Sequence, residues 1–227
     1  MVEIKVKGTD EKLRIENIYC IGRNYLEHIK EFDTPEKKLE APKEPMVFLK
    51  PNTAAITADY ISIPVLKGKK ISDNLQNEVE LVVVIGKDGV SIPKENAMEY
   101  VYGYAVGIDF TLRDVQAALK KEGMPWALSK GFLMSAPVSE IVKKEEVKNA
   151  ENLCIRLKLN GEIKQDANTS MMIFKLPYLI HYISSIFGLK KGDMIFTGTP
   201  AGITKLNSGD KIEAEIETVG KLNVMVV

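Results

Sequence analysis

The chain has 227 residues, of which 45% are hydrophobic and 27% are charged, a balance typical of a soluble globular protein with a sizeable core. Its 31 basic residues equal its 31 acidic residues in number, so no net field attracts nucleic acid or an anionic membrane. We therefore expect neither class of partner.

Cysteine usage and hydropathy bear on the compartment. Cys20 and Cys154 lie far apart in apolar surroundings, which argues against a disulfide framework and a thiolate metal site and favours a reducing cytoplasm. The amino terminus alternates like a strand, and no stretch of about 18 apolar residues occurs. We expect neither a targeting nor a membrane-spanning segment.

The first elements are a hairpin, a strand and a helix. Residues 1–17 alternate as two short strands, which predicts a short hairpin segment ahead of a single domain over residues 18–227. The apolar run 18–21 predicts a buried strand, and helical spacing follows over residues 24–32.

The next stretch, residues 33–45, carries three prolines and little apolar periodicity, so it predicts a loop. A mobile lid over residues 33–43 is one reading that the sequence leaves open.

The rest of the chain is dominated by strands. Asn160-Gly161 is a strong hairpin signal. Strands without regular helix alternation predict an α+β, mostly β fold of roll or barrel form with a few helices, not a doubly wound sheet. The strand-like runs are residues 46–49, 55–56, 60–63, 79–85, 102–110, 155–159, 194–197, 211–218 and 222–227, and the helical runs are 112–121 and 177–187.

Two glutamates lie in one of these strands. Side chains alternate across a strand, so Glu78 and Glu80 share the face that continues as Val82 and Val84, at the margin of a core. Two like charges about 7 Å apart at such a place need a positive partner. The plainer reading is that both are rim charges paired with lysines.

A third acid has a similar position. Alternation places Asp109 on the face of Ala105 and Gly107, whose small side chains leave room beside it. Three carboxylates without a nearby cysteine suit a hard cation, and Mg²⁺ or Mn²⁺ fits an open site better than a dedicated Ca²⁺ cage.

The segment after Asp109 resembles a helix start, with Thr111 followed three residues later by Asp114. Arg113 and Gln116 then share a helix face, where they could donate hydrogen bonds to an anionic substrate. A solvated helix face explains the same spacing.

Lys130 lies in an apolar, aromatic run that contains the single tryptophan. A desolvated ammonium is best placed next to an anion such as a carboxylate or a developing enolate. A lysine that extends to the surface would carry no chemistry.

His28 and Glu31 are three residues apart, as in a general-base dyad in which a carboxylate orients an imidazole. A surface pair at this spacing needs no function. His181 lies in a largely apolar helix without an acidic neighbour and is read as structural.

The turn at residues 197–202 contains Gly198 and Thr199 and follows a strand. Its backbone N–H groups could bind a carboxylate, although a plain loop is the commoner meaning of the pattern.

In this order, the segments resemble the fumarylacetoacetate hydrolase family, and within it the acylpyruvate hydrolase and oxaloacetate decarboxylase-like branch. Several motifs in the right order are more specific than any one of them. The motifs are IGRNYLEH (21–28), PMVFLKP (45–51), NEVEL (77–81), GIDFTLRDVQ (107–116), PWALSKGF (125–132), NTS (168–170) and TGTPAG (197–202).

The resemblance implies a mixed β-roll, a homodimer and a divalent cation, Mg²⁺ with Mn²⁺ or Ca²⁺ as alternatives. It also implies a role for each matching residue. The metal ligands would be Glu78, Glu80 and Asp109; the catalytic residues His28, Glu31, Lys130 and Gln116; and the substrate-binding residues Arg23, Asn24, Tyr25, Arg113, Gly198 and Thr199.

The reaction that the resemblance implies first is hydrolysis of an acylpyruvate. His28 would activate a water, and carbon–carbon cleavage would expel a pyruvate enolate that the cation and Lys130 stabilise. Oxaloacetate decarboxylation and isomerisation of a 2-hydroxyhepta-2,4-diene-1,7-dioate-like substrate remain open. So does a dicarboxylate-binding module without catalysis.

Overall fold

The computed structural model describes residues 2–32, 34, 38, 40–57 and 59–227. Within them the strands are β1 (Glu3–Lys5), β2 (Lys12–Arg14), β3 (Ile18–Gly22), β4 (Met46–Lys50), β5 (Ala55–Ile56), β6 (Tyr60–Ile61), β7 (Val65–Leu66), β8 (Lys69–Lys70), β9 (Leu75–Gln76), β10 (Val79–Ile85), β11 (Val101–Ile108), β12 (Thr111–Leu112), β13 (Ala136–Pro137), β14 (Val142–Lys143), β15 (Cys154–Leu159), β16 (Glu162–Asn168), β17 (Met194–Phe196), β18 (Lys211–Ile216) and β19 (Gly220–Val226). The helices are α1 (Leu26–Lys30), α2 (Arg113–Lys121), α3 (Ala127–Lys130) and α4 (Leu176–Ile186).

Two mixed sheets form the body of the molecule. The larger has six strands in the order β14-β11-β10-β17-β3-β4, in which only β17 and β3 are parallel. The smaller has five in the order β16-β15-β18-β19-β6, with β19 and β6 parallel. The prediction of a mostly β fold with a few helices is confirmed, and both sheets are open.

Strand β10 lies inside the six-stranded sheet and is buried along its whole length. Leu81 and Val83 belong to a large core that includes residues of the five-stranded sheet, whereas Val82 and Val84 belong to a smaller cluster on the opposite face. A run of β-branched residues suits a strand packed on both sides. The strand is therefore packed on both of its faces, and the face shared with Glu78 and Glu80 continues into the smaller cluster as Val82 and Val84.

The amino-terminal hairpin of β1 and β2 covers that opposite face. Ile4, Leu13 and Ile15 pack in the smaller cluster with Val82 and Phe196. The hairpin is thus joined to the sheet by a shared apolar cluster, while the division at residue 17 stays a prediction.

Local boundaries differ from the expectations where tertiary pairing decides them. Helix α1 is shorter than residues 24–32, because Tyr25 is extended and only caps it. Thr111 does not cap α2: it pairs with Gln76 in a two-stranded sheet, and the capping residue is Leu112. The hairpin predicted at Asn160-Gly161 is present between β15 and β16.

The segment for which a lid was considered is described in part only. Residues 33, 35–37 and 39 lie outside the described residues, so the lid stays a prediction. No helix in the described ranges combines the length and the apolar character needed to cross a bilayer.

Candidate active site

The register of β10 and β11 brings the three acids together. Glu80 pairs with Gly107 across the antiparallel ladder, and the Asp109 N–H donates to the Glu78 carbonyl at 2.8 Å. A Cβ on Gly107 would lie 2.5 Å from the Val82 side chain, so only glycine fits there. One carboxylate oxygen from each acid lies within 4.8 Å of the others, and all three residues are buried.

Three cations contact these acids. The Lys130 ammonium lies 2.7 Å from both Glu78 Oε2 and Asp109 Oδ2, and the Arg113 guanidinium donates to Glu78 Oε1. Lys50 Nζ lies 2.8 Å from Asp109 Oδ1. The formal charges of these six groups cancel, which makes their joint burial tolerable.

The negative charges of Glu78 and Glu80 are stabilised by different groups of the protein. Burial alone would raise the pKa of Glu78, but Lys130 and Arg113 outweigh it and hold that pKa below its usual range. Burial and the charges of Asp109 and Glu78 raise the pKa of Glu80 well above its usual range. Glu80 is held instead by the Gly198 N–H, which donates to Oε2 at 2.7 Å.

The trio fits a hard divalent cation. In octahedral Mg²⁺ coordination, oxygens at about 2.1 Å from the ion lie about 3 to 4.2 Å from each other, so the present separations need only small adjustments. All three donors are carboxylate oxygens, which suit Mg²⁺, Mn²⁺ or Ca²⁺ rather than a thiolate-seeking metal. The residues present therefore fit the group that the sequence pattern implied.

Lys50 was missed as a candidate, although the quoted motif PMVFLKP contains it. Its side chain is 0% exposed, and Nζ donates to the Lys130 carbonyl, to Ser135 O at 3.1 Å and to Ser135 Oγ at 3.0 Å. Lys50 thus ties Asp109 to the backbone that carries Lys130. A lysine at the end of an apolar strand was the available signal.

His28 and Glu31 form the dyad that their spacing suggested. His28 Nδ1 lies 2.6 Å from Glu31 Oε2, and the imidazole is buried. A carboxylate only accepts hydrogen bonds, so Nδ1 carries the proton and Nε2 is left as the basic nitrogen. Glu31 is fixed in turn by the Gly202 N–H, which donates to Oε1 at 2.8 Å.

Gly202 is required at this position for two reasons. Its φ of +104° lies in the region that favours glycine, and an added Cβ would lie 1.8 Å from the Lys164 carbonyl oxygen. The turn at residues 197–202 therefore anchors Glu31 at one end and Glu80 at the other.

The same turn also differs from its expected use. Because the Gly198 N–H is bonded to Glu80, it is not free for a substrate carboxylate. Thr199 lines the pocket, and its Oγ1 accepts from Gln165 Nε2 at 2.8 Å. Gln165 also accepts from Asn77 Nδ2 and Val79 N, so this buried amide links the turn to the start of β10.

Arg113 and Gln116 share one face of α2, as predicted, and their contacts separate their roles. Arg113 donates from each of its three nitrogens, to Gln76, Gln116 and Glu78, which fixes the orientation of its guanidinium. Because Gln116 Oε1 accepts from Arg113 at 2.8 Å, its amide nitrogen is the end left for a ligand. We read Arg113 as a positioning residue.

Asn24 and Tyr25 are not part of the pocket lining. The Asn24 amide donates to the carbonyls of Phe174 and Thr197 and accepts from Phe174 N, so both of its donors are used by the backbone. Tyr25 is buried, and its hydroxyl has no partner among the described residues. These contacts support a structural role for Asn24 rather than the predicted contact with substrate.

The remaining predicted groups open into one pocket. Arg23 lies at its rim in a left-handed backbone conformation, with φ of +59°, which is uncommon for a residue with a side chain. The described residues that line the pocket are Ile21, Gly22, Arg23, His28, Phe32, Met46, Phe48, Glu78, Glu80, Arg113, Gln116, Lys120, Trp126, Lys130 and Thr199.

A family profile, related sequences and solved structures were compared with this chain, and all three point to one family. The family profile described as "Fumarylacetoacetate (FAA) hydrolase C-terminal" matches residues 17–227. The chain is 45% identical over 211 residues to the mitochondrial oxaloacetate tautomerase FAHD1 of Mus musculus, covering 92% of this chain and 91% of that protein.

Two solved structures have the same fold. The fumarylpyruvate hydrolase of Pseudomonas aeruginosa in complex with Mn²⁺ and pyruvate matches with a TM-score of 0.90 at 34% identity, covering 100% of this chain and 95% of that one. The 2-hydroxyhepta-2,4-diene-1,7-dioate isomerase of Mycobacterium marinum matches with a TM-score of 0.79 at 30% identity, covering 95% and 75%.

The chain therefore belongs to the fumarylacetoacetate hydrolase family, as its motifs predicted, and it is an enzyme of that family. The alternative of a binding module without catalysis is set aside.

Proposed function

We propose that this enzyme hydrolyses the carbon–carbon bond of an acylpyruvate-type 2,4-dioxo acid through a pyruvate enolate, with a divalent cation at Glu78, Glu80 and Asp109. One observation carries the proposal: His28, held by Glu31 through a 2.6 Å contact, lines the same pocket as Glu78 and Glu80 of the acidic trio. A base beside a cation site is the arrangement that water activation next to a chelated 2-oxo acid requires.

Charge balance supports a dianionic species at the site. With all three acids ionised, the trio and its three contacting cations have no net formal charge, so a bound divalent ion leaves an excess of about two positive charges. When bound, a cation held by Glu78, Glu80 and Asp109 would act as a Lewis acid that polarises the 2-oxo acid and stabilises the negative charge that develops on the enolate. An enolate with its carboxylate carries two negative charges and matches this excess.

The chain's own residues perform the proton transfers. His28 Nε2, held by Glu31, takes a proton from water, and the resulting hydroxide attacks the distal carbonyl carbon. The tetrahedral adduct then breaks its carbon–carbon bond, whose electron pair passes to the pyruvate enolate. His28 returns its proton to the enolate carbon, which gives pyruvate and a carboxylic acid.

Lys130 and Gln116 are placed to polarise the substrate. Lys130 has three N–H donors, two of which bind Glu78 and Asp109, so the third is available for an oxyanion. Although burial opposes it, the charges of Asp109 and Glu78 raise the pKa of Lys130, which keeps the ammonium protonated. The amide nitrogen of Gln116 provides a neutral donor nearby.

Keto–enol tautomerisation of oxaloacetate is the second candidate. The 45% identity to an oxaloacetate tautomerase favours it, and the reaction passes through the enolate of oxaloacetate itself, with His28 moving one proton between carbon and oxygen and no water attacking. Oxaloacetate decarboxylation would leave the pyruvate enolate as CO₂ departs, whereas isomerisation of a dienedioate would pass through the dienolate of that longer 2-oxo acid. Hydrolysis and tautomerisation differ in what the His28–Glu31 dyad does: the dyad activates a water in the first reaction and only moves a proton in the second.

Three further points stay proposals. We propose Mg²⁺ as the resident cation, with Mn²⁺ or Ca²⁺ as alternatives, because the donors are carboxylates alone. We propose a homodimer, in keeping with the family resemblance. A cytoplasmic location rests on the free state of Cys20 and Cys154.

The decisive experiment is a substrate panel assayed with Mg²⁺, with Mn²⁺ and with a chelator. The panel contains acetylpyruvate, fumarylpyruvate, oxaloacetate in keto and enol forms, and an isomerisable dienedioate. Release of pyruvate from the two acylpyruvates supports hydrolysis, whereas interconversion of the oxaloacetate forms alone would transfer the assignment to tautomerisation. Turnover that persists unchanged in chelator would contradict the metal-dependent mechanism.

A further inference from the structure

One face of α2 runs from the acidic trio to the mouth of the pocket. Arg113, Gln116 and Lys120 are spaced at i, i+3 and i+7, so they share that face. Four residues of helix rise about 6 Å between Gln116 and Lys120, which is the length scale of a short dicarboxylic acid. A ligand held at its 2-oxo end by Gln116 and Lys130 would therefore extend towards Lys120.

Lys120 is held in a defined place although the residue as a whole is exposed. Its Nζ lies 4.8 Å from the ring centroid of Trp126 and 5.7 Å from that of Phe32. The two aromatic rings give the ammonium an apolar setting in which an anionic partner is worth more than in water.

The ion pairs of the pocket leave this ammonium without a carboxylate. They join His28 to Glu31, Arg113 to Glu78, and Lys130 to Glu78 and Asp109. Within the described part of the chain, neither Lys120 nor Arg23 takes part in an ion pair of this kind. Among the residues that the structure describes, Lys120 and Arg23 therefore give the rim of the pocket two positive charges that form no carboxylate pair.

The electrostatics at Lys120 agree with this geometry. Partial desolvation, followed by the positive charges of Arg113 and Arg23, lowers the pKa of Lys120 to about 8. The nearby cations therefore lower the pKa of Lys120 by more than Glu78 raises it. An anion at the rim would relieve this repulsion.

We propose that Lys120, with Arg23 beside it, binds the distal carboxylate of a dicarboxylic 2-oxo acid. This inference rests on the proposed function and narrows its substrate class. Acids with a charged distal end, such as fumarylpyruvate or oxaloacetate, are then preferred to acylpyruvates with a neutral acyl end. Lys120 is assigned a specificity role, separate from the proton transfers at His28.

A ligand pair that differs only in the distal carboxylate tests this directly. The Mn²⁺-loaded protein is titrated calorimetrically with 2-oxoglutarate and with 2-oxovalerate, and Lys120→Gln, Lys120→Arg and the control Lys121→Gln are compared. Lys121 is the adjacent exposed lysine outside the pocket lining. We expect the wild type to prefer 2-oxoglutarate by about tenfold or more, from one charge-assisted contact.

That preference disappears in Lys120→Gln, is largely kept in Lys120→Arg and is unchanged in Lys121→Gln. In kinetics, Lys120→Gln raises KM for fumarylpyruvate about tenfold and leaves acetylpyruvate cleavage within about twofold. Equal affinity of the wild type for the two ligands, or an equal effect of Lys120→Gln on both, would overturn the inference.

The two proposals fail separately. If no substrate turns over but the 2-oxoglutarate preference depends on Lys120, the reaction is wrong and the carboxylate site stands. If acylpyruvates are cleaved without any such preference, the reaction stands and the carboxylate site is wrong. If the wild-type protein binds neither 2-oxoglutarate nor 2-oxovalerate, both proposals are wrong.

Discussion

The two ends of the pocket differ in how their charges are arranged. At the deep end, three buried carboxylates contact the buried Lys50 and Lys130 and the partly buried Arg113, and the formal charges of the six groups cancel. At the rim, Arg23 and Lys120 are positive and take part in no carboxylate pair among the described residues. A balanced cluster suits the uptake of a divalent ion, whereas an unbalanced one suits the uptake of an anion.

The difference also separates stability from specificity. Buried pairs are destabilising when one partner is removed, because the other is left as an uncompensated charge. A partly exposed cation at a rim contributes little to folding, and its removal alters ligand affinity instead. Substitutions at the two ends should therefore have different signatures, and the following predictions test that expectation.

The largest effect is expected at the base beside the deep end. His28→Ala removes the imidazole that Glu31 orients, so hydrolysis should fall about 10³-fold, within the range for loss of a general base. Affinity for Mn²⁺ should stay within about threefold, since His28 is not among the acidic trio.

The matched control is His181→Gln. His181 lies on α4 and bonds to the Ile92 carbonyl, away from the pocket lining. Cleavage by His28→Ala at the wild-type rate would remove the dyad from the mechanism.

The next effect is on folding. Lys50→Met leaves Asp109 Oδ1 buried without its cation and frees carbonyls of the Lys130 segment, so we expect a loss of about 3 to 5 kcal/mol in the free energy of unfolding. Lys50→Met combined with Asp109→Asn should recover part of that loss, as measured by denaturant unfolding.

The surface pair of Lys87 and Glu99 provides the control for this experiment. Both side chains are at least half exposed, and Lys87→Met should cost less than about 1 kcal/mol. Similar losses for Lys50→Met and Lys87→Met would show that the deep cluster is not a balanced buried unit.

A smaller effect is expected in the turn that holds Glu31. Gly202→Ala places a Cβ against the Lys164 carbonyl and shifts the N–H that bonds Glu31, so activity should fall about tenfold. Gly209→Ala is the control, because Gly209 has a φ of +92° with open space around it. Both variants share the backbone strain, and only Gly202→Ala should change kcat.

The smallest effect is a pH dependence at the rim. With the pKa of Lys120 lowered to about 8 by desolvation and by Arg113 and Arg23, the ammonium loses its proton as pH rises through that value. Attraction for a distal carboxylate weakens in the same range, so kcat/KM for fumarylpyruvate should decline a few-fold above about pH 8.

This decline should be absent in Lys120→Gln and for acetylpyruvate, and Lys120→Arg should move it to higher pH. An identical alkaline limb for both substrates would assign the titration to another group.

Much of the site followed from the sequence because it depends on local rules. Strand alternation placed Glu78 and Glu80 on one face and Asp109 beside Gly107, and the i, i+3 spacing paired His28 with Glu31. The order of the sequence motifs then indicated the fumarylacetoacetate hydrolase family.

The rest depends on contacts between distant segments. Lys50 reaches Asp109 across 59 positions in the chain, and Gln165 reaches Asn77 across 88, so no local period indicates either. Thr111 looked like a helix cap but pairs with a strand, and the Gly198 N–H that looked free is bonded to Glu80. Tertiary pairing, which decides these cases, is invisible to patterns of a few residues.

The central claim is that the buried trio takes up a divalent cation, and Mn²⁺ titration by calorimetry tests it most directly. The account predicts one Mn²⁺ per chain for the wild type, a loss of affinity of about a hundredfold in Glu80→Gln, and no change in the exposed control Glu122→Gln. Wild-type protein that binds no Mn²⁺, or Glu80→Gln that binds it as tightly as the wild type, would contradict the account.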